Sequence, residues 1–198
     1  MIIGITGNSG TGKTSICKEI LQIKGENKIT LIDADKIVKE ISVPGHEYFN
    51  QIINIFGKEI ILSNGNIDRK KLANIVFSDN RKRELLNKNT YKYVVEEIKK
   101  QANESKNKTV IIDAPLLIES NLNKICDIVI SVITDYEIKI ERICKRDNID
   151  KNIAQARLNS QNPNEFYIKS SDYIIINNNS NIEKHAKDII KLIEEIDK

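Results

Sequence analysis

The stretch Ile3-Gly4-Ile5-Thr6-Gly7-Asn8-Ser9-Gly10-Thr11-Gly12-Lys13-Thr14-Ser15 decides the fold. Residues 1–6 form an apolar run that is too short for a helix and stops at a glycine, as a buried strand does. Gly7 to Thr14 match the spacing G-x-x-x-x-G-K-[ST]. From 13 to 24, Ile16, Ile20, Leu21 and Ile23 recur at helical spacing around the polar Lys18 and Glu19. Strand, glycine-rich turn and helix in that order have a physical use. Glycines let successive backbone N–H groups turn inward around a phosphate with no Cβ in the way. The helix that begins near Lys13 adds the positive end of its dipole. Lys13 can reach the β- and γ-phosphates, and the Thr14 hydroxyl can ligate Mg²⁺. The alternative is a glycine-rich turn that binds nothing, and eight matching positions with both flanks correct weigh against it. The loop points to nucleotide binding without naming the reaction.

Outward from the loop, strands and helices alternate. KITLIDAD (28–35) reads as a second strand ending in two carboxylates, with a helix over 35–41 stopped by Val43-Pro44-Gly45. Residues 46–106 hold no fully apolar strand. Phe49, Ile52, Ile53 and Phe56 predict one helix there, Asp68 a cap for a second through Val76 and Phe77, and 80–104 a long third. TVIIDAP (109–115) and DIVISVI (127–133) are short continuous apolar runs, as expected of parallel strands covered on both faces. Between them the alternation leads one to expect a further helix. Charged helices at 136–147 and 150–161, a strand at 172–177 and an amphipathic helix at 181–196 complete the pattern. It predicts an α/β, P-loop NTPase-type three-layer fold with a parallel central sheet and right-handed crossovers. The expected organisation is one domain over 1–198, with a helical insertion at about 46–106.

The chain has 198 residues, 40% of them hydrophobic, enough for a real core. No stretch approaches the roughly 20 apolar residues of a spanning helix, and no basic, then apolar, leader opens the sequence. Cys17, Cys126 and Cys144 are widely spaced and form no C-x-x-C, which fits reduced thiols in a cytoplasm. The net charge of +3 is spread among alternating lysine and glutamate, so nucleic acid is not an expected partner. His46 and His185 stand alone, without metal-ligand spacing.

Three carboxylates and three arginines are candidates. Asp33 and Asp35 close the second strand, and side chains two apart on an extended segment point the same way. Ligands of open α/β sheets sit beyond strand carboxyl ends. The strands bearing the glycine loop and these carboxylates could be close neighbours there, so both could face the phosphate site, and a carboxylate could take a proton from an acceptor hydroxyl or hold a metal-bound water. A helix N-cap is the other reading of each. Asp113 ends the third apolar run, where a carboxylate can orient Mg²⁺ through water or simply begin a turn. Only six arginines occur, and Arg142, Arg146 and Arg157 crowd one segment. Guanidinium suits the charge on equatorial phosphoryl oxygens. Ion pairing with Glu141 or Asp147 is the alternative. Cys17, four residues after Lys13, reads as a core thiol.

The sequence resembles the dephospho-coenzyme A kinase family over nearly its whole length. The resemblance runs through IGITGNSGTGKTS (3–15), IDADKIV (32–38), Pro44-Gly45, FGKEI (56–60), NGNIDRKKL (64–72) and VF (76–77). It continues through DAPLLIE (113–119), ERICKRD (141–147), ARLNSQ (156–161) and SDYIIIN (171–177). It implies transfer of the ATP γ-phosphate to the ribose 3′-hydroxyl of dephospho-CoA, the last step of coenzyme A synthesis, with Mg²⁺. It implies that the insertion at about 46–106 binds the acceptor, that about 136–161 is a helical lid, and that Asp35 is the base, with Lys13, Arg142 and Arg146 beside it in catalysis. ATP contacts would run over Gly10, Thr11, Gly12, Lys13, Thr14 and Ser15, with Asn177 added. Thr6, Asp33, Asp35, Arg69 and Leu116 would meet the acceptor, and Thr14 and Asp113 the metal. A cytoplasmic monomer acting on small molecules is expected, with a homo-oligomer left open. The chain departs from the family pattern at Asn89-Thr90, where His-Pro is usual, at Lys139, where glutamine is, and in the Asn177-Asn178-Asn179 run, which lacks a glycine. Two rival readings are a kinase for a nucleoside or nucleoside monophosphate, and a nucleotide-dependent switch. The second would need a guanine-reading N-K-x-D element, which no predicted strand supplies.

Overall fold

A computed structural model describes residues 1–105, 108–179 and 181–196. Residue 106, where the expected insertion ends, lies outside the described residues. In chain order the elements begin with β1 (Ile2–Thr6), α1 (Lys13–Lys24) and β2 (Ile29–Asp33). Next come α2 (Ala34–Ile41), α3 (Glu47–Phe56), α4 (Arg69–Phe77) and α5 (Asn80–Glu104). The chain then returns to β3 (Thr109–Asp113) and β4 (Ile128–Ile133), followed by α6 (Tyr136–Asp147), α7 (Lys151–Asn159), α8 (Asn164–Lys169), β5 (Tyr173–Ile176) and α9 (Ile182–Ile196).

The strands form one sheet in the order β2-β3-β1-β4-β5. β1 pairs in parallel with β3 and with β4, and β4 with β5. The continuous apolar runs sit where both faces are covered: all six residues of β4 are buried, and so are four of the five in β1 and in β3. The edge strand β5 leaves Tyr173 and Ile176 exposed. β2 and β1, which the sequence leaves as possible close neighbours, are not paired directly. β3 lies between them, which sets the two strands about 10 Å apart.

α1 turns Ile16, Cys17 and Ile20 into the core, and α9 meets it with Ala186, Ile189, Ile190 and Ile193, a one-face spacing. Ile3, Ile5, Ile111 and Ile130 of the sheet complete this cluster. The helix that leaves the glycine loop is thus held by full burial. α6 and α7 form a hairpin on a smaller core of Ile140, Ile143, Ala154 and Leu158. Asn148 turns the chain between them in the left-handed region, and Asp150 caps α7 by accepting from the Ile153 N–H at 3.0 Å.

Two elements differ from the sequence reading. No α-helix lies between β3 and β4, where the chain uses turns and a 3-10 segment at Leu122–Ile125. Pro115 interrupts that stretch early, and buried Leu117 and Leu122 anchor it without helical repeat. The short α8 was missed because six residues cannot display an amphipathic period. Tertiary burial of Tyr167 holds it instead.

The described chain divides into two compact units, residues 1–32 with 102–198, and residues 33–101. The second unit is helical. Asp33 begins it as N-cap of α2, accepting from the Lys36 N–H at 3.0 Å. α3 buries Tyr48, Phe49, Ile52 and Phe56. Asp68 caps α4, accepting from the Lys71 N–H at 2.9 Å.

Candidate active site

The glycine loop follows β1 directly. The first helical hydrogen bond of α1 runs from the Ile16 N–H to the Gly12 carbonyl at 3.1 Å, and Gly12 provides no side-chain cap. The N–H groups of Lys13, Thr14 and Ser15 therefore donate to no protein acceptor among the described residues. Lys13 is 8% exposed, yet its ammonium has no ion pair or hydrogen bond among the described residues. Open donors, a helix N-terminus and an uncompensated cation in one turn make an anion site.

Neighbouring elements hold the loop from two sides. The buried Asn177, just past β5, donates through Nδ2 to the Thr11 carbonyl at 2.8 Å. The Thr134 hydroxyl, just past β4, donates to the Asn177 carbonyl at 3.1 Å. Arg142 of α6 donates through Nη1 to the Gly10 carbonyl at 3.2 Å and through Nη2 to the Asn177 carbonyl at 2.9 Å. Burial lowers the pKa of this guanidinium, and nearby Glu141 opposes the shift. On the other side Asn8 donates through Nδ2 to the Asn162 carbonyl at 2.8 Å, and the Ser9 N–H donates to Gln161 Oε1 at 3.1 Å. Two glycines are required by this enclosure. At Gly10 (φ 82°) a Cβ would lie 2.8 Å from the Lys139 carbonyl oxygen, and at Gly12 (φ 88°) 2.5 Å from Asn177 Nδ2.

Two of the three clustered arginines, Arg146 and Arg157, meet on Asp147. Arg146 donates through Nε at 2.7 Å and Nη2 at 2.9 Å, and Arg157 pairs with the same carboxylate. Hydrogen bonds from Arg146 foremost, then from Arg157, pull the Asp147 carboxyl down to about 2. Arg146 Nη2 also donates to Ser9 Oγ at 3.2 Å, so both Arg142 and Arg146 reach the loop. Lys139 is buried, donates to Asn164 Oδ1 at 3.0 Å, and has its pKa lowered by that burial against the opposing charges of Asp135 and Glu165.

Asp113 is buried at the carboxyl end of β3, and its Cα partner across the ladder is Ile5, two residues before the loop. Thr6 is fully buried and donates to the Pro115 carbonyl at 3.2 Å. Leu116, the next residue, is exposed. In the helical unit the two aspartates separate. Asp33 spends its side chain as the α2 cap, whereas Asp35, exposed in the first turn of α2, makes no hydrogen bond or ion pair among the described residues. Arg69, exposed at the start of α4, likewise has no carboxylate partner there.

Thr134, Gln161 and Asn162 escaped the sequence reading as loop contacts. They lie 123 to 154 positions from the loop residues they bond, and no local pattern marks them. Only the ARLNSQ stretch, which ends on Gln161, gave a sign.

A family model described as dephospho-CoA kinase matches residues 1–183. Dephospho-CoA kinase of Fusobacterium nucleatum is 40% identical over 196 residues, 99% of this chain and 98% of that protein. The Listeria monocytogenes enzyme of the same name is 37% identical over 97% of this chain and 95% of its own length. Among solved structures, dephospho-CoA kinase from Campylobacter jejuni aligns with TM-score 0.66 and 26% identity over 100% of this chain and 98% of that one. Shikimate kinase from Acinetobacter baumannii, at TM-score 0.59 and 16% identity over 98% and 93%, shares the fold.

Proposed function

This chain belongs to the dephospho-CoA kinase family and is an ATP-dependent kinase, and we propose that it moves the ATP γ-phosphate to the ribose 3′-hydroxyl of dephospho-CoA by direct in-line transfer. The observation that carries this reading is the glycine loop. Its N–H groups at Lys13, Thr14 and Ser15 and the Lys13 ammonium, all without a partner among the described residues, form a cradle for a polyphosphate within a chain matched by the family model over residues 1–183.

In this reading the loop amides and Lys13 grip the phosphates and meet charge that grows on the transferred group. Gly10 and Thr11 stay in place because Arg142 and Asn177 hold their carbonyls. Asn177 supports the nucleotide site through the loop. Arg142 and Arg146 bring positive charge beside it, and Arg146 must exchange part of its Asp147 pairing to meet a phosphoryl oxygen. The acceptor oxygen forms its bond to the γ-phosphorus as the bond from that phosphorus to the ADP oxygen breaks. The hydroxyl proton passes to the carboxylate of Asp35, the aspartate not committed as a cap. Asp33 fixes the helix start that presents Asp35. Thr6 and Leu116 on the sheet side and Arg69 in the helical unit are the further acceptor contacts proposed.

The residues fit a hard divalent cation. Thr14 offers a hydroxyl and Asp113 a buried carboxylate. Among the described residues no group of three His, Cys, Asp or Glu side chains could hold a metal alone. Mg²⁺ suits such a sparse set because it keeps waters and takes phosphate oxygens as its other ligands. When bound it neutralises phosphate charge. ATP is a cytoplasmic substrate, so a cytoplasmic location is proposed, with a monomer as the form proposed and a homo-oligomer left open. Among the described residues no helix is long and apolar enough to cross a membrane.

The test is ATP consumption with and without dephospho-CoA, with mass analysis of the product. Acceptor-dependent ADP release and a product heavier by one phosphoryl group are expected. Phosphorylation of a nucleoside in preference to dephospho-CoA would overturn the proposal.

A further inference from the structure

Glu119 is the last residue of the DAPLLIE motif (113–119) and sits half-buried in the turns that follow β3. Leu117 fixes that stretch. It is fully buried and fills the space that Gly4 of β1 leaves: a Cβ on Gly4 would lie 2.5 Å from Leu117 Cδ2. Two residues on, Glu119 Oε1 accepts from Asn162 Nδ2 at 2.7 Å. The Asn162 carbonyl in turn accepts from Asn8 Nδ2 at 2.8 Å, and Gln161 Oε1 accepts from the Ser9 N–H at 3.1 Å. Asn8 and Ser9 stand just past the end of β1. The contacts therefore close a ring, from β1 through Leu117, Glu119, Asn162 and Asn8 back to β1. Within it Glu119 sets where residues 161 and 162, as the chain leaves α7, meet the glycine loop.

Two features set this ring apart from packing alone. Glu119 Oε2 and Asn8 Oδ1 are buried with no hydrogen-bond partner among the described residues. A buried acceptor left unpaired costs stability, so stability does not account for a carboxylate at this place. The second feature is where the ring leads. Ser9, held through its N–H by Gln161, accepts at its Oγ from Arg146 Nη2 at 3.2 Å. The helix-start N–H groups of Lys13, Thr14 and Ser15 lie outside the ring. So do the Gly10 and Thr11 carbonyls, which Arg142 and Asn177 hold.

We propose that Glu119 is a positioning residue for phosphoryl transfer: acting through Asn162, it fixes Asn8 and Ser9, and with them the point at which Arg146 meets the loop. This rests on the kinase reading and adds a residue to its transfer step. Loss of the carboxylate leaves the phosphate donors of the helix start in place, so ATP is still captured. It releases the Arg146 end of the loop, so transfer slows, since a displacement of about 1 Å in a positioned group can cost about a hundredfold in rate.

Steady-state kinetics with ATP and dephospho-CoA test it. Glu119→Ala should lower kcat by about tenfold or more while KM for ATP stays within about twofold of wild type. Glu119→Gln, whose amide oxygen can still accept from Asn162, should regain kcat to within about threefold of wild type. Asn162→Ala should slow the enzyme as Glu119→Ala does, and the double variant should be within about twofold of the slower single, because both remove one contact. A Glu119→Ala variant that melts like the wild type and keeps its kcat would overturn the inference, and so would a loss carried by KM for ATP. Losses that multiply in the double variant, or a Glu119→Gln as slow as Glu119→Ala, would overturn it as well. Should Glu119→Ala fail to fold, Glu119→Asp, which draws the carboxylate back by one methylene, takes its place under the same expectations. Failure of the kinase reading is distinct: the wild-type protein would then consume no ATP on dephospho-CoA.

Discussion

The contact between Gly12 and Asn177 can be tested by a double-mutant cycle. Gly12 sits at φ 88°, and a Cβ there would lie 2.5 Å from Asn177 Nδ2. Gly12→Ala thus incurs two costs. A non-glycine residue in the left-handed region costs about 1–2 kcal/mol. The methyl also expels the Asn177 amide from its 2.8 Å bond to the Thr11 carbonyl, and loss of a buried bond adds about 1–3 kcal/mol. Asn177→Ala alone loses that bond only, about 1–3 kcal/mol. The double variant loses the same bond once, so its destabilisation should fall short of the sum of the two singles by about 1–3 kcal/mol. Urea unfolding followed by far-ultraviolet circular dichroism measures the stabilities, and the KM for ATP should rise in the same order because the loop carries the phosphate donors. Additivity within about 0.5 kcal/mol would refute the reasoning, since it would mean that the methyl and the amide do not compete for one space.

Three further outcomes follow from the same geometry. Asp35→Asn should keep a near-normal KM for ATP while transfer to dephospho-CoA falls by orders of magnitude, and steady-state kinetics on both substrates reads the difference; Asp33→Asn, which retains a capping oxygen, should lose far less. The Asp147 carboxyl titrates at about 2 in the fold against an ordinary 3.8, so the stabilisation it gives the α6–α7 hairpin is fully present above pH 4 and is lost as pH falls through about 2. Acid unfolding of Asp147→Asn should accordingly show a weaker pH dependence in that window. Burial, reinforced by the nearby Asp127 and Asp172, pushes the Cys126 thiol up to about 12, so it should stay unmodified by iodoacetamide at pH 8 in the native enzyme and react once urea unfolds it, as peptide mass mapping would reveal.

Legibility in the sequence followed the range of the interaction. β1, the glycine loop and α1 were readable because each is specified within a few residues: an apolar run, glycines at forced backbone positions, and a one-face apolar repeat. Asp68 and Asp150 were readable as caps or helix starts for the same reason. The roles of Asp33 and Asp35 were not separable, because both are short carboxylates at a strand end. The hydrogen bond from the Lys36 N–H made one a cap and left the other open. The arginine cluster was visible as a cluster, but its division was not. Arg142 braces the Gly10 and Asn177 carbonyls, while Arg146 and Arg157 share Asp147.

By itself, then, the sequence determined that a strand, a phosphate-binding loop and a helix succeed one another, that apolar strands recur as a parallel sheet requires, and that the family's ordered motifs are present. Those properties depend on neighbouring residues and on the periods of helix and strand. Strand order, with β3 inserted between β1 and β2, and the support of the loop by Thr134, Gln161, Asn162 and Asn177 depend on groups brought together from far along the chain. Only burial and hydrogen-bond satisfaction in three dimensions could choose among the partners that a linear pattern leaves equivalent.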